Sequence, residues 1–346
     1  MIRVAIFLVL FLPPLSAWAG KDFGSPAIGS TTAGFLKLGA GARAVSMGEA
    51  YSAVADEASG LYWNPATLTR LEGQSITLMH AAYIDSSLFD YAGYGISLRN
   101  YGAFGLGVQY FNAGRITQTD TTGTEIGNFT PNDLAVSLGY AYQSKDSELP
   151  IVLDGVSMGL AVKFIHSQIL TSAQTFTADF GILSPLYADD RLRLAFVIAN
   201  MGGRIKFEQD SENLPLLIKL GSAYQIRKRW LASLDIGAPR DNNPFVGVGT
   251  EYLIPVLDTW SLAGRLGLNS RTIGDVNGLT GISFGLGFIL PKFSIDYTFL
   301  PFGDLGLTHR ISISLKWGEQ SNRYSPEIWT PKMNSPPDAD KYPETF

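Results

Sequence analysis

The feature of this sequence that most restricts its fold is a regular two-residue alternation of apolar and polar side chains. Near the C-terminal end, the apolar series is Ile311, Ile313, Leu315 and Trp317, and the polar series is Arg310, Ser312, Ser314 and Lys316. Successive side chains of a β-strand point to opposite faces, so this period predicts strands with one apolar face. A soluble sandwich alternates in the same way, and the organisation of the strands must therefore distinguish the two folds.

The alternation recurs along the chain in segments separated by connections of unequal length. The predicted strands lie near 74–83, 90–99, 102–112, 133–143, 155–167, 174–184, 190–200, 214–226, 229–237, 244–254, 259–269, 279–290, 292–300 and 308–317. Most have the ~9 to 11 residues that cross a bilayer when tilted. Tight connections such as 291–292 alternate with long ones such as 113–132 and 201–213. This organisation is typical of outer-membrane barrels.

We therefore predict an all-β fold, a transmembrane antiparallel β-barrel of about fourteen strands over residues 74–317, in contact with outer-membrane lipid. An even number of strands predicts that both termini lie in the periplasm. Residues 1–19 have Arg3 before an apolar core and end in Ala17-Trp18-Ala19, which predicts a cleaved signal peptide. Residues 318–346 carry five prolines among polar residues and predict an extended periplasmic tail.

The inward series of the predicted strands is rich in small residues, among them Gly93, Gly95, Gly105, Gly107, Gly159 and Ala161. A barrel of this width is not filled by its own side chains, so the lumen has room for another segment. We predict that residues 20–73 form a small N-terminal plug with a helix from about Ala42 to Ala58. Asn64 precedes Pro65 and should therefore be extended or turned, which marks the passage from plug to barrel.

Three charged residues of the predicted helix are candidates for fixing the plug. Arg43 lies near its N-terminus, and Asp56 and Glu57 lie near its C-terminus, which is the reverse of what the helix dipole favours. We expect these charges to pair with lumen side chains, and solvation in a wet lumen is the open alternative. The basic lumen side chains considered as partners are Arg99, Lys163, Arg265 and Arg310.

The remaining motifs do not indicate catalysis. The glycine pattern from Gly39 to Ala44 has no βαβ unit around it, so no dinucleotide site is predicted. Adjacent carboxylates such as Asp56 and Glu57 diverge on a helix and do not converge on one substrate bond. The chain has no cysteine and its histidines are sparse. We predict no enzyme activity, metal or cofactor, and a net charge of -5 gives no reason to expect a nucleic-acid partner.

Two stretches resemble the PorV/PorQ family of outer-membrane proteins. The opening of that family is similar to residues 32–51 (TAGFLKLGAGARAVSMGEAY) and 55–66 (ADEASGLYWNPA), and its last hairpin is similar to residues 296–312 (DYTFLPFGDLGLTHRIS). The resemblance implies a fourteen-stranded barrel of the FadL fatty-acid-transporter type. It also implies a partner of the type IX secretion machinery, which receives exported proteins by their C-terminal domain and passes them on for cell-surface attachment.

Two functions from other classes stay open at this point. A FadL-like passive channel for hydrophobic small molecules would use the plug residues Phe35, Leu36 and Leu38, and a purely structural outer-membrane protein would need no ligand. A protein-handling barrel would instead dock secreted proteins or secretion machinery on its outer loops. The candidate docking residues in the last outer loop are Phe299, Leu300, Phe302 and Asp304.

Overall fold

The computed structural model describes residues 22–98, 101–144, 154–207, 210–257, 259–273 and 277–318. The predicted signal peptide, Arg99 and the proline-rich tail beyond residue 318 lie outside the described residues. The strands are β1 (Gln74–Ala82), β2 (Leu88–Leu98), β3 (Gly102–Asn112), β4 (Ile116–Thr119), β5 (Glu125–Phe129), β6 (Asn132–Gln143), β7 (Ser157–Gln168), β8 (Ser172–Leu183), β9 (Leu192–Met201), β10 (Arg204–Phe207), β11 (Asp210–Asn213), β12 (Leu217–Arg227), β13 (Trp230–Pro239), β14 (Phe245–Leu257), β15 (Trp260–Asn269), β16 (Ile282–Leu290), β17 (Phe293–Pro301) and β18 (Leu307–Trp317).

Fourteen of these strands form one closed antiparallel barrel, in which β1 pairs with both β2 and β18. The predicted all-β barrel of about fourteen strands is therefore confirmed. The other four strands form two hairpins, β4–β5 and β10–β11, within connections for which the sequence predicts loops. These segments are four or five residues long, too short for a clear alternation to be recognised.

The two faces of the barrel wall differ in polarity, as the alternation requires. Large apolar side chains project outward, and Leu138, Phe176 and Leu286 are 65%, 64% and 69% exposed. The inward face carries glycine, serine, threonine and buried charged residues. This arrangement is suited to a wall with lipid outside and a polar lumen inside. Among the described residues, no helix has the length and apolar character needed to cross a membrane.

The barrel has a tight-turn end, where connections such as 290–293 lie, and a loop end, where the connections 112–132 and 201–217 lie. Asp22 forms an ion pair of 2.9 Å with Arg240, directly after β13, at the loop end. Trp317 pairs with Gln74 at the tight-turn end. The two ends of the described chain therefore lie at opposite ends of the barrel, and the prediction that both termini share one side does not hold for these residues.

The plug, residues 22–73, lies in the lumen but lacks the helix that we predicted from Ala42 to Ala58. It contains only α1 (Ala42–Ser46), α2 (Gly60–Trp63) and short 3-10 turns. Gly48 and Glu49 have positive φ angles, 63° and 61°, and end the helical path. A Cβ atom on Gly48 would lie 2.5 Å from the Leu268 carbonyl oxygen, so the backbone runs directly against β15. Contact with the wall overrides the helix propensity of the alanine-rich sequence.

Candidate functional site

The plug is held against the wall by glycines whose missing side chains leave room for its backbone. A Cβ atom on Gly267 would clash with the Gly48 amide nitrogen, and one on Gly159 would clash with the Ala66 amide nitrogen. Gly139 in the same way accommodates the Leu61 side chain. Strands β7 and β6, which carry two of these glycines, are neighbours, and β15 lies across the barrel, so the plug is contacted from opposite sides. The plug therefore occupies the space that the small inward-facing residues leave, as the sequence indicated.

Asn64 joins segments of the plug to each other and to the wall through its side-chain amide. Its backbone is extended (φ -165°, ψ 105°), as expected for a residue before proline, and its Oδ1 accepts from the Ala66 amide at 3.0 Å. Its Nδ2 donates to the carbonyls of Ser52, at 2.9 Å, and Ile182, at 3.2 Å. Asn64 is fully buried in the lumen. The Asn64-Pro65 turn is thus an anchor on β8 and lies ten residues before β1.

A chain of buried ion pairs links the plug to four strands. Arg43 pairs with Asp56, which is also a plug residue, at 2.8 Å. It pairs with Glu251 of β14 at 2.8 Å as well. Glu251 also accepts from Arg265 of β15 at 2.6 Å, and Arg265 pairs with Asp296 of β17 at 2.7 Å.

On the other side of the network, Lys316 of β18 reaches Asp56 at 3.3 Å. Arg43 and Asp56 thus both pair with charges of the wall, and the wall partner of Asp56 is Lys316. Three of the four predicted partners contact other groups instead. Lys163 pairs with Asp179, Arg265 pairs with Glu251 and Asp296, and Arg310 donates to the Gly39 carbonyl.

The adjacent carboxyl groups of Asp56 and Glu57 are in opposite electrostatic environments. Burial raises the pKa of Asp56, but Lys316 and Arg43 outweigh it and hold this pKa well below its usual range. Burial raises the pKa of Glu57 above its ordinary value, because no cation within the described residues forms an ion pair with it. Glu57 instead accepts hydrogen bonds from Tyr51 at 3.2 Å and Ser59 at 3.0 Å. Of these two carboxylates, therefore, only Asp56 forms an ion pair with the wall among the described residues.

A cavity of about 250 Å³ lies in the lumen between the plug and the loop end. Its inner boundary includes the buried plug residues Val45 and Trp63, whereas Gly34 and Lys37 on its outer side are exposed. Beneath it, the plug residues Leu61 and Leu68 are fully buried. The cavity is therefore a pocket that opens toward the loop end and is closed by the plug on the other side.

The pocket combines aromatic rings with cationic groups. Lys219 lies 4.8 Å from the ring centroid of Trp63, and Arg271 lies 4.2 Å from that of Phe245. Both arrangements are within the range of cation–π interactions. Leu36 and Leu38 line the pocket as well, while Phe35 is buried in a cluster with the β10–β11 hairpin residue Ile205.

The predicted docking residues of the last loop do not form one exposed surface. Leu300 and Phe302 line the pocket, and Phe302 packs against Tyr83 with ring centroids 5.6 Å apart. Phe299 lies beside His309, at 5.7 Å between ring centroids. Asp304 is exposed, and its amide donates to the Asn277 carbonyl at 3.0 Å. The expectation that Phe299, Leu300 and Phe302 are displayed together at the loop tip is wrong, because β17 continues to Pro301 and alternates their directions.

Sequence reasoning did not identify Glu251, Asp296 or Lys316 as parts of the site. The available signal was a charged residue on the inward series of a predicted strand, where burial in the wall requires a partner. Among the described residues, no group of three or more histidine, aspartate or glutamate residues could hold a metal ion.

Comparison with known proteins assigns this chain to a family. A family model described as type IX secretion system protein PorV matches residues 25–229. The fold is similar to that of the Ralstonia pickettii toluene transporter TbuX, with 13% identity, 81% of this chain and 99% of that chain covered, and a TM-score of 0.54. The P. putida toluene transporter TodX gives 13% identity, 82% and 99% coverage and a TM-score of 0.53.

At such identities the likeness to these transporters shows the fold alone, a barrel of the kind found in outer-membrane transporters. The search of curated protein sequences gave no match. The family match covers more than half of the chain, including the plug from Ser25 onward and the strands β1 to β12. This protein is an outer-membrane β-barrel that belongs to the PorV family of type IX secretion system proteins.

Proposed function

We propose that this barrel binds exported proteins at its loop end and assists their delivery to the cell surface, without a catalytic step of its own. The observation that carries the proposal is the position of the plug. It fills the lumen toward the tight-turn end and leaves a pocket that opens toward the loop end. A barrel closed in this way is suited to holding a partner at one rim.

The sidedness of the barrel supports the same function. Outer-membrane barrels have short periplasmic turns and longer extracellular loops, so the loop end faces outward in our proposal. The pocket, the β4–β5 hairpin and the β10–β11 hairpin would then face the cell exterior. The residues after Trp317 would begin on the periplasmic side, whereas Asp22, near the start of the mature chain, would lie at the outer rim.

A passive channel for hydrophobic small molecules is the second candidate function. The aromatic lining of the pocket favours it, as does the similarity of the fold to transporters described as carrying toluene. A channel of this kind would require the plug to move, because Leu61, Leu68 and Ala66 are tightly packed below the pocket.

Deletion of the gene in its host tests the proposal. We expect exported proteins that share one C-terminal domain to disappear from the cell surface and accumulate inside the cell, and a plasmid-borne copy to restore their delivery. The barrel purified in mild detergent should carry such proteins with it. Normal surface delivery in the deletion strain, together with apolar ligands in the purified barrel, would replace the secretion role with the channel.

A further inference from the structure

One cation of the lumen pocket has no carboxylate within 4 Å in the part of the chain that the structure describes. Five basic side chains line the pocket, namely Lys37, Lys163, Lys219, Arg271 and Arg310. Four of them have a carboxylate within 4 Å. Lys37 pairs with Asp241 at 2.8 Å, and Lys163 pairs with Asp179 at 2.7 Å. Lys219 pairs with Asp235 at 3.6 Å, and Arg271 pairs with Glu49 at 3.0 Å. Among the described residues, Arg310 has no such partner.

Arg310 is only 2% exposed, so a missing carboxylate partner is costly at this position. Its Nη1 donates to the Gly39 carbonyl at 2.6 Å, whereas its buried Nε has no hydrogen-bond partner among the described residues. A buried guanidinium with an unused donor has a strong electrostatic preference for an anion. A carboxylate is the anion that matches a guanidinium best, since it accepts from two parallel N–H groups.

The surroundings of Arg310 specify what the anion is attached to. Its guanidinium lies 5.7 Å from the ring centroid of Tyr83, which packs against Phe302, and both Tyr83 and Phe302 line the pocket. An apolar or aromatic group next to the carboxylate would therefore lie against aromatic rings. A neutral hydrocarbon would leave Arg310 unpaired and would not match this chemistry.

The shape of the pocket favours a single group that belongs to a larger molecule over a free small molecule. The plug closes its inner side, so that a group entering from the loop end must leave the same way. The connections beside its mouth expose apolar side chains, among them Ile273, Leu279 and Leu305. A closed pocket with an apolar rim is the geometry of a protein hot-spot site, in which one anchor enters and neighbouring contacts exclude water.

We propose that the Arg310 pocket binds a carboxylate of a protein partner, carried next to an aromatic or aliphatic side chain of an extended segment. This inference rests on the proposed function, since it supplies the contact by which the barrel holds an exported protein.

The test uses the full-length barrel in mild detergent and isothermal titration calorimetry. The probe is an acetylated pentapeptide that ends in phenylalanine with a free carboxylate, and the comparison is the same peptide as its C-terminal amide. We expect the amide to bind at least about tenfold more weakly, the scale of one lost charge-assisted hydrogen bond. This comparison requires no substitution and is independent of any folding defect.

Variants then assign the binding to Arg310. Arg310→Gln should remove the difference between acid and amide, and Arg310→Lys should retain part of it, because lysine keeps the charge but loses the planar pair of donors. Arg204→Gln removes an equal charge from the exposed β10 strand and should leave the difference unchanged. Unboiled gel mobility verifies that each variant is folded.

Equal binding of acid and amide, or a difference that survives in Arg310→Gln, would overturn the proposal. Displacement of the peptide by decanoate at far lower concentration would overturn the protein assignment and indicate a small amphipathic anion. In cells, loss of surface delivery on gene deletion with full delivery by Arg310→Gln would refute this pocket while leaving the proposed function intact.

Discussion

Arg43 of the plug and Glu251 of strand β14 form a two-point ion pair, in which Nε and Nη2 of the arginine donate to the two carboxylate oxygens at 2.9 and 2.8 Å. The residues are separated by 208 positions in the sequence. Glu251 is buried and the Arg43 side chain is 11% exposed, and Arg43 also pairs with Asp56. The pair therefore connects the plug to the wall at the centre of the ion network.

Removing one partner of this pair should be costly. We expect Arg43→Ala to lower the free energy of unfolding by about 3–5 kcal/mol, because Glu251 and Asp56 would be left buried with less compensation. Thermal unfolding in detergent measures the change. Combining Arg43→Ala with Glu251→Ala should cost less than the sum of the single changes. Lys37→Ala is the control, since its pair with Asp241 is partly exposed and should contribute ~1 kcal/mol or less. Additive effects of Arg43 and Glu251 would show that the pair is not coupled.

The two adjacent plug carboxylates should respond in opposite ways to neutralisation. The folded-state pKa of Asp56 is lowered, so its contribution to stability is present at neutral pH and is lost only as pH falls through that low value. Asp56→Asn should therefore destabilise the plug at neutral pH and raise single-channel conductance.

For Glu57 the folded-state pKa is raised, so its charged form is disfavoured in the folded protein. Its destabilising effect is fully present above the raised pKa, shrinks as pH falls through that value and is lost below the ordinary pKa of the unfolded chain. Glu57→Gln should match or exceed the wild-type melting temperature at about pH 8, with a difference that shrinks toward pH 5. Equal losses in the two variants at neutral pH would contradict the assignment of a paired charge to Asp56 alone.

The wall glycines can be tested within one strand. Gly267→Ala adds a Cβ that would clash with the Gly48 backbone, whereas a Cβ on Gly264 meets no atom within 4 Å. We expect Gly267→Ala to displace the plug, which increases conductance and proteolysis of residues 39–70 while leaving the barrel assembled. Gly264→Ala should behave as the wild type. If the two variants have the same conductance, the plug is not seated by this glycine.

The membrane location has a direct biochemical consequence. The mature protein should fractionate with the outer membrane, and the unboiled barrel should migrate faster than the boiled chain in detergent gels, because closed hydrogen-bonded barrels resist unfolding by detergent. The outward apolar belt, with residues such as Leu138 and Leu286, would be insoluble without lipid or detergent. Recovery as a soluble periplasmic protein would contradict the fold.

Strand positions could be predicted closely from the sequence. The last strand was expected at 308–317 and is Leu307–Trp317, and the third was expected at 102–112 and is Gly102–Asn112. The two-residue alternation of apolar and polar side chains is a local property of the sequence. Each strand has one polar face and one apolar face, so it can be recognised without its neighbours.

The site could be predicted only in part. Arg43, Asp56, Asn64 and Pro65 were recognised as plug residues with a special role, and all four contact the wall or its ion network. Their partners could not be chosen, because several inward-facing charges of either sign were available and strand register does not fix which ones meet the plug. The supposed exposure of Phe302 failed for a related reason, since its contact with Tyr83 depends on how β17 and β18 close onto β1.

The sequence by itself determined that this chain forms a barrel of alternating strands with a small-residue lumen, because those properties depend on the composition and period of each segment. Only the tertiary structure decided the path of the plug, the end of α1 at Ser46 and the position of Asp22 at the loop end. It also decided that Arg310 has no ion-pair partner among the described residues. These features depend on contacts between residues far apart in the sequence. Closure of the barrel brings a particular wall glycine or charge to a particular plug residue, and local propensity carries no information about that match.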